Sequence, residues 1–252
     1  MKKARQTFRI IWVVAGILFF IWMFYSSQSR GFPITVLQSD QKIVVAENNA
    51  YISFIPIENN IKKGLFFYPG ALVDPKAYAS IARHLAEDGF TTYIVKLPFR
   101  SAMLPRQEVI VLEHTRQIAA ENQSIQRWAV SGHSRGGAIA SRFVYAHKDL
   151  FSGLILIGTT HPKDGEFDLS ASDLPVMKIY GTQDGLASVA EIVETSVLLP
   201  EDTIWVAIDG GNHAQFGYYG TQLGDNRATI SRAEQQEITI SAMLNFLKNI
   251  DE

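Results

Sequence analysis

The segment Gly132-His133-Ser134-Arg135-Gly136-Gly137 constrains this chain more than any other, because it lies where an apolar run ends and a run of small residues begins. Arg127-Trp128-Ala129-Val130-Ser131 reads as a buried strand, and Ala138-Ile139-Ala140-Ser141-Arg142-Phe143-Val144-Tyr145 as the helix after it. A serine on so sharp a turn is held in strained backbone angles that push its hydroxyl clear of the main chain. Glycines two residues before and after remove the Cβ atoms that would collide. Ser134 is therefore a candidate nucleophile, with an incidental serine in a tight turn as the competing reading.

The flanking chain supplies the sheet on which such a turn would sit. Ile34-Thr35-Val36-Leu37, Ile43-Val44-Val45 and Tyr51-Ile52-Ser53-Phe54-Ile55 read as short strands separated by turn residues. After Gly64 the rhythm changes. Leu65-Phe66-Phe67-Tyr68 reads as a strand leading into a helix with Asp74 as N-cap, Pro75 at its first position and Gly89 beyond its end. Thr91 to Val95 is the next strand, and Glu108 to Glu121 the next helix. Gly153 to Ile157, Val176 to Tyr180 and Thr203 to Ile208 add three strands. A final helix opens on Ser231 and Glu234, spaced as a capping box. Such alternation predicts an α/β domain over residues 34–252, with a mostly parallel sheet covered by helices on both faces. The stretch between Ile157 and Pro175 is too short for a large cap domain.

The first 33 residues are of another kind. Residues 10–25 are an unbroken apolar run, long enough at 1.5 Å per residue to cross a bilayer core, and Lys2, Lys3, Arg5 and Arg9 precede it. Residues 1–9 are then a cytoplasmic basic terminus, 10–25 a transmembrane anchor and 26–33 a linker, with the catalytic domain outside. A cleaved signal peptide is the competing reading, though Ser27-Gln28-Ser29 is a poor cleavage site. The 252 residues carry a net charge of −2, so no basic excess points to nucleic acid, and the absence of cysteine excludes disulfides and a thiol nucleophile.

A serine needs a base, and the base a partner that fixes its tautomer. His213 follows the last strand and would reach the same sheet edge as Ser134. His84 and His114 lie on helix bodies, His133 belongs to the turn itself, and His147 and His161 have no placed acid. Asp184, in the turn after the penultimate strand, is the candidate acid, with Asp209 as the fallback. The tetrahedral intermediate also needs two donors for its oxyanion. The backbone N–H of Arg135 is one, and that of Ala71, or failing it Leu72, is the other. Leu72, Phe216, Tyr218 and Tyr219 are expected to line the substrate, with Leu223 completing a partial lid. The Arg135 guanidinium either favours anionic substrates or pairs with a nearby carboxylate.

The turn Tyr68-Pro69-Gly70-Ala71, the Ser134 segment and Gly211-Asn212-His213 together resemble the α/β-hydrolase superfamily over Ile34 to Ile250. More narrowly, they resemble small, dienelactone-hydrolase-related bacterial proteins that are often membrane-anchored. Pro69-Gly70 stands where many esterases have His-Gly, and Ser134 where true dienelactone hydrolases have cysteine, so dienelactone hydrolysis is not implied. The resemblance implies a serine hydrolase acting on an ester or thioester through Ser134, His213 and Asp184, without metal or organic cofactor, on a small-molecule or lipid-like acyl substrate. A peptidase or acyltransferase with the same triad, or a catalytically silent surface binding protein, remains open.

Overall fold

Along Lys63–Tyr68 the side chains alternate between two cores, Leu65 and Phe67 entering one, Phe66 and Tyr68 the other. A strand buried on both faces must have helices above and below it. The computed structural model, which describes residues 2–58, 61–163 and 165–250, shows that arrangement. Met1 and the last two residues of the 34–252 unit lie outside the described residues.

Eight strands are present among the described residues: β1 (Ile43–Glu47), β2 (Tyr51–Pro56), β3 (Lys63–Tyr68), β4 (Thr91–Val95), β5 (Arg127–His133), β6 (Gly153–Ile157), β7 (Val176–Gly181) and β8 (Ile204–Ile208). They form one sheet in the order β1-β2-β4-β3-β5-β6-β7-β8. Only β2 runs against its neighbours, and β4, β3, β5, β6, β7 and β8 are mutually parallel.

The helices are α1 (Lys2–Ser26), α2 (Ala79–Glu87), α3 (Pro105–Glu121), α4 (Arg135–Ala146), α5 (Val189–Glu194) and α6 (Arg232–Asn249). α2 and α6 cover one face through Ile81, Leu85, Met243 and Leu247. α3 and α4 cover the other through Val111, Ile118, Ile139 and Phe143. On that second face Phe66 stacks on Trp128, ring centres 4.3 Å apart. α1 is long and apolar enough to cross a membrane over Arg5–Ser26. Among the described residues its apolar stretch has no buried position before Ser26, which is buried against the domain.

Two expectations are corrected. Ile34–Leu37 is a 3₁₀ turn rather than a strand. Carbonyls in and just after it accept from a side chain and not from a neighbouring strand: the Arg83 guanidinium of α2 donates to Thr35 O, Val36 O and Gln38 O at 3.1, 3.4 and 2.7 Å. The helix after Asp74 begins as a 3₁₀ turn, Pro75–Tyr78, before α2 proper. Asp74 caps it as expected, accepting Lys76 N–H at 3.1 Å.

Candidate active site

The crossing of β5 and α4 explains the glycines around Ser134. A Cβ on Gly136 would stand 1.9 Å from the Tyr68 carbonyl oxygen, and one on Gly132 would stand 2.2 Å from the Gly136 backbone. The helix can therefore lie against the end of β3 only if both positions lack a side chain. Ser134, between them, has φ 52° and ψ −115°. That conformation costs a non-glycine residue about 1–3 kcal/mol and is characteristic of functional turns. Its N–H stays in the ladder, donating to Ile157 O at 2.9 Å.

Asp184 and His213 come from separate loops, after β7 and β8, and meet at the same sheet edge. His213 Nδ1 lies 2.9 Å from Asp184 Oδ2, with both residues buried. The other carboxylate oxygen of Asp184 is fixed by Leu186 N–H and Ala187 N–H at 2.8 and 2.7 Å. With Nδ1–H donating to the carboxylate, His213 keeps a lone pair on Nε2, which is buried and without a partner. The structure does not join Ser134 Oγ to that nitrogen by a hydrogen bond. It does bring the two segments into contact, since the ring of His133, the residue before Ser134, packs 4.5 Å from the His213 ring. Asp209, the fallback acid, is elsewhere, accepting from Thr182 Oγ1 at 3.1 Å.

Of the two expected oxyanion donors, Ala71 N–H donates to none of the described residues. Arg135 N–H opens α4, where a helix has no internal acceptor. Leu72 N–H is engaged by Arg100 O at 2.6 Å, which removes the second choice. The Arg135 side chain reaches Glu108 Oε1 at 2.6 Å and Ala102 O at 2.6 Å, and Arg142 shares the same Glu108. Its guanidinium is thus committed to Glu108 of α3 and to the loop before that helix, which is the carboxylate pairing and not the alternative of meeting substrate charge.

The expected lid is also corrected. Phe216 is fully buried beneath His133, ring centres 5.6 Å apart, and belongs to the core. Tyr218 packs edge-on against Phe32 and gives its backbone to Arg30 and Ala77. Tyr219, Leu223 and Leu72 do line a cavity, together with Ala71.

Three residues that position the site are not singled out for that role in the sequence, although one of them, His133, belongs to the Ser134 turn. The Tyr78 hydroxyl receives Gly70 N–H at 3.1 Å and is hydrogen-bonded to His133 Nδ1 at 2.8 Å. It ties the Ala71 loop to the Ser134 turn. His133 itself is held well below the usual histidine value by burial and by the neighbouring His213, while the His213 backbone acts weakly the other way. Asp225 receives His213 N–H, Ala214 N–H and Gly185 N–H at 3.2, 2.8 and 3.2 Å, clamping the two loops that carry His213 and Asp184. Among the described residues no cluster of three or more His, Asp or Glu side chains is placed to hold a metal.

The fold is shared with an esterase from Pyrobaculum calidifontis, 13% identical over 86% of this chain and 87% of that one, TM-score 0.64. It is shared also with a soluble variant of monoglyceride lipase from Saccharomyces cerevisiae, 12% identical over 88% of this chain and 99% of that one, TM-score 0.63. An alpha-beta serine hydrolase homologue from Coxiella burnetii is 14% identical over 83% of this chain and 99% of that one, TM-score 0.59. No curated protein matches the chain in sequence. A family model does match it, over residues 64–237, and on that match the chain belongs to the alpha/beta hydrolase family.

Proposed function

We propose that the protein is a serine hydrolase that cleaves a carboxylic ester or thioester through an acyl-enzyme, held at a membrane by α1. The family and its esterase and lipase neighbours support a hydrolytic activity. The observation that carries the finer reading is the buried Asp184–His213 pair, whose His213 ring, its Nε2 unpartnered among the described residues, packs against His133, the residue before the strained Ser134 turn. The narrower likeness to dienelactone-hydrolase-related anchored proteins belongs to the same proposal.

In this reading His213 Nε2 takes the Ser134 hydroxyl proton as Oγ attacks the acyl carbon. Ala71 N–H and Arg135 N–H receive the resulting oxyanion. The tetrahedral species collapses, His213 protonates the departing alcohol or thiol, and the acyl group stays on Oγ. Water then gives its proton to His213 and attacks the acyl carbon, and return of that proton to Oγ releases the acid. Asp184 holds the tautomer that leaves Nε2 free throughout.

The test is covalent labelling by a fluorophosphonate together with turnover of acyl esters. Ser134→Ala is expected to abolish labelling and to lower turnover by about 10⁴, His213→Ala by a similar factor, and the double variant by little more. Folded Ser134→Ala protein with wild-type turnover overturns the nucleophile. Absence of labelling in the wild type favours a silent binding protein.

A further inference from the structure

The last turn of α1 is stitched to both loops that carry the candidate site. Ser26 O accepts Gly220 N–H at 2.7 Å, on the loop after His213, and Ser27 O accepts Asp74 N–H at 2.9 Å, on the loop that carries Ala71. The Ser26 hydroxyl donates to Thr221 O. Arg30 closes the attachment, giving its N–H to Tyr218 O at 2.8 Å while its guanidinium lies 4.2 Å from the centre of the Tyr25 ring and donates to Tyr25 O.

Between these elements is a cavity of about 210 Å³, with Trp22 and Met23 of α1 as one wall and Ala71, Leu72, Tyr219 and Leu223 as the other. Among the described residues no Asp, Glu, Lys or Arg lines it. Trp22 is one helical turn from Ser26, about 6 Å along the axis. The cavity therefore sits level with the end of the apolar run, where hydrocarbon gives way to headgroups. On the wall facing α1, the loops after β3 and β8 leave Leu72 and Leu223 exposed, Leu223 to 65%. These side chains share the cavity with Trp22 and Met23, at the end of the uncovered apolar stretch of α1.

We infer that this face rests on the bilayer and that the cavity receives the hydrocarbon chain of a lipid ester drawn from the leaflet at the end of α1. The inference rests on Ser134 being the nucleophile. Hydrolysis there consumes one water, breaks the acyl carbon–oxygen bond and releases a fatty acid and a lipid alcohol. The helix is thus part of the substrate site as well as a tether. A hydrocarbon chain suits a cavity whose walls are mostly apolar, with Ser26, Ser27, Thr221 and Gln222 as its uncharged polar lining, and it is already present at the depth where the cavity opens.

The test uses the full chain in phosphatidylcholine vesicles with two fluorophosphonates, one carrying an ethyl and one a hexadecyl group, comparing rates of Ser134 labelling. The hexadecyl probe is expected to react at least about tenfold faster, the equivalent of roughly two buried methylene groups. Trp22→Ala/Met23→Ala, which lies outside both cores, and Leu223→Ser on the facing wall are each expected to reduce that ratio at least about threefold. A wild-type ratio near one, as when the groove seats a protein segment, overturns the inference, as does a ratio that neither variant moves. If neither probe labels Ser134, the nucleophile reading itself falls.

Discussion

Lys178, on β7, is the residue whose environment departs furthest from what its chemistry prefers. It is fully buried, donates to His161 O at 3.0 Å and lies 5.8 Å from the centre of the Trp205 ring. Burial brings its amine down to about 7 from the ordinary 10.5. Between those values the unfolded chain binds a proton that the folded chain lacks. Stability contributed at this site therefore rises as pH is raised from about 7 to 10.5, and the full penalty applies below that window. Lys178→Met is expected to raise the melting temperature at pH 7 by several degrees, on the order of 2–4 °C per kcal/mol for a domain this size. The gain should vanish above the upper limit. Melting curves across that range check it, and parallel pH profiles in the two proteins count against it. At this scale the sequence was legible only where a residue follows a strand. Ser134, Asp184 and His213 each do, and the turn chemistry around them is local. Tyr78, Asp225 and His133 act across the fold, through partners 8 to 55 residues away, so no spacing reveals them. Phe216 was misplaced for the opposite reason: proximity to His213 in sequence suggested a lid, while its side chain turned inward.

Among the elements, the β5–α4 crossing is the most exacting. Replacing glycine by alanine near the start of an exposed helix ordinarily stabilises by about 0.5–1 kcal/mol. At Gly136 the added methyl group would meet the Tyr68 carbonyl, and backbone cannot swing aside. Gly136→Ala is thus expected to destabilise by about 3 kcal/mol, read from urea unfolding at equal m-value. A variant as stable as the parent would mean that α4 is free to shift. The strand-helix rhythm was legible because buried parallel strands and amphipathic helices differ in period. Boundaries were less so. α3 starts at Pro105 rather than Glu108, with the Gln107 side chain accepting Leu104 N–H at 3.0 Å. Residues 34–37 have strand composition and no strand neighbour, and Arg83, which satisfies them, is 47 residues from Val36.

For the whole molecule, the basic residues in the first turns of α1 and the uncovered apolar surface of that helix place the hydrolase domain outside the membrane in our proposal. Protease added to intact cells is expected to digest the domain, and an alkaline wash to leave the undigested chain with the membranes. A domain protected in intact cells, or recovered as a soluble species starting near Arg30, would show otherwise. The sheet order was beyond the sequence, because it is set by pairings between segments distant along the chain, such as β3 with β5.

One contact at the β5–α4 crossing bears on how far such a chain can drift. Gly136 lies against the carbonyl of Tyr68, so main chain touches main chain where the Ser134 turn meets the loop after β3. At that contact the spacing is set by main chain against main chain, with the Tyr78 hydroxyl bridging Gly70 and His133 beside it. Mutation can then rewrite the surrounding side chains while the frame that presents Ser134 stays put, and relatives only 12% to 14% identical still superpose over most of their length.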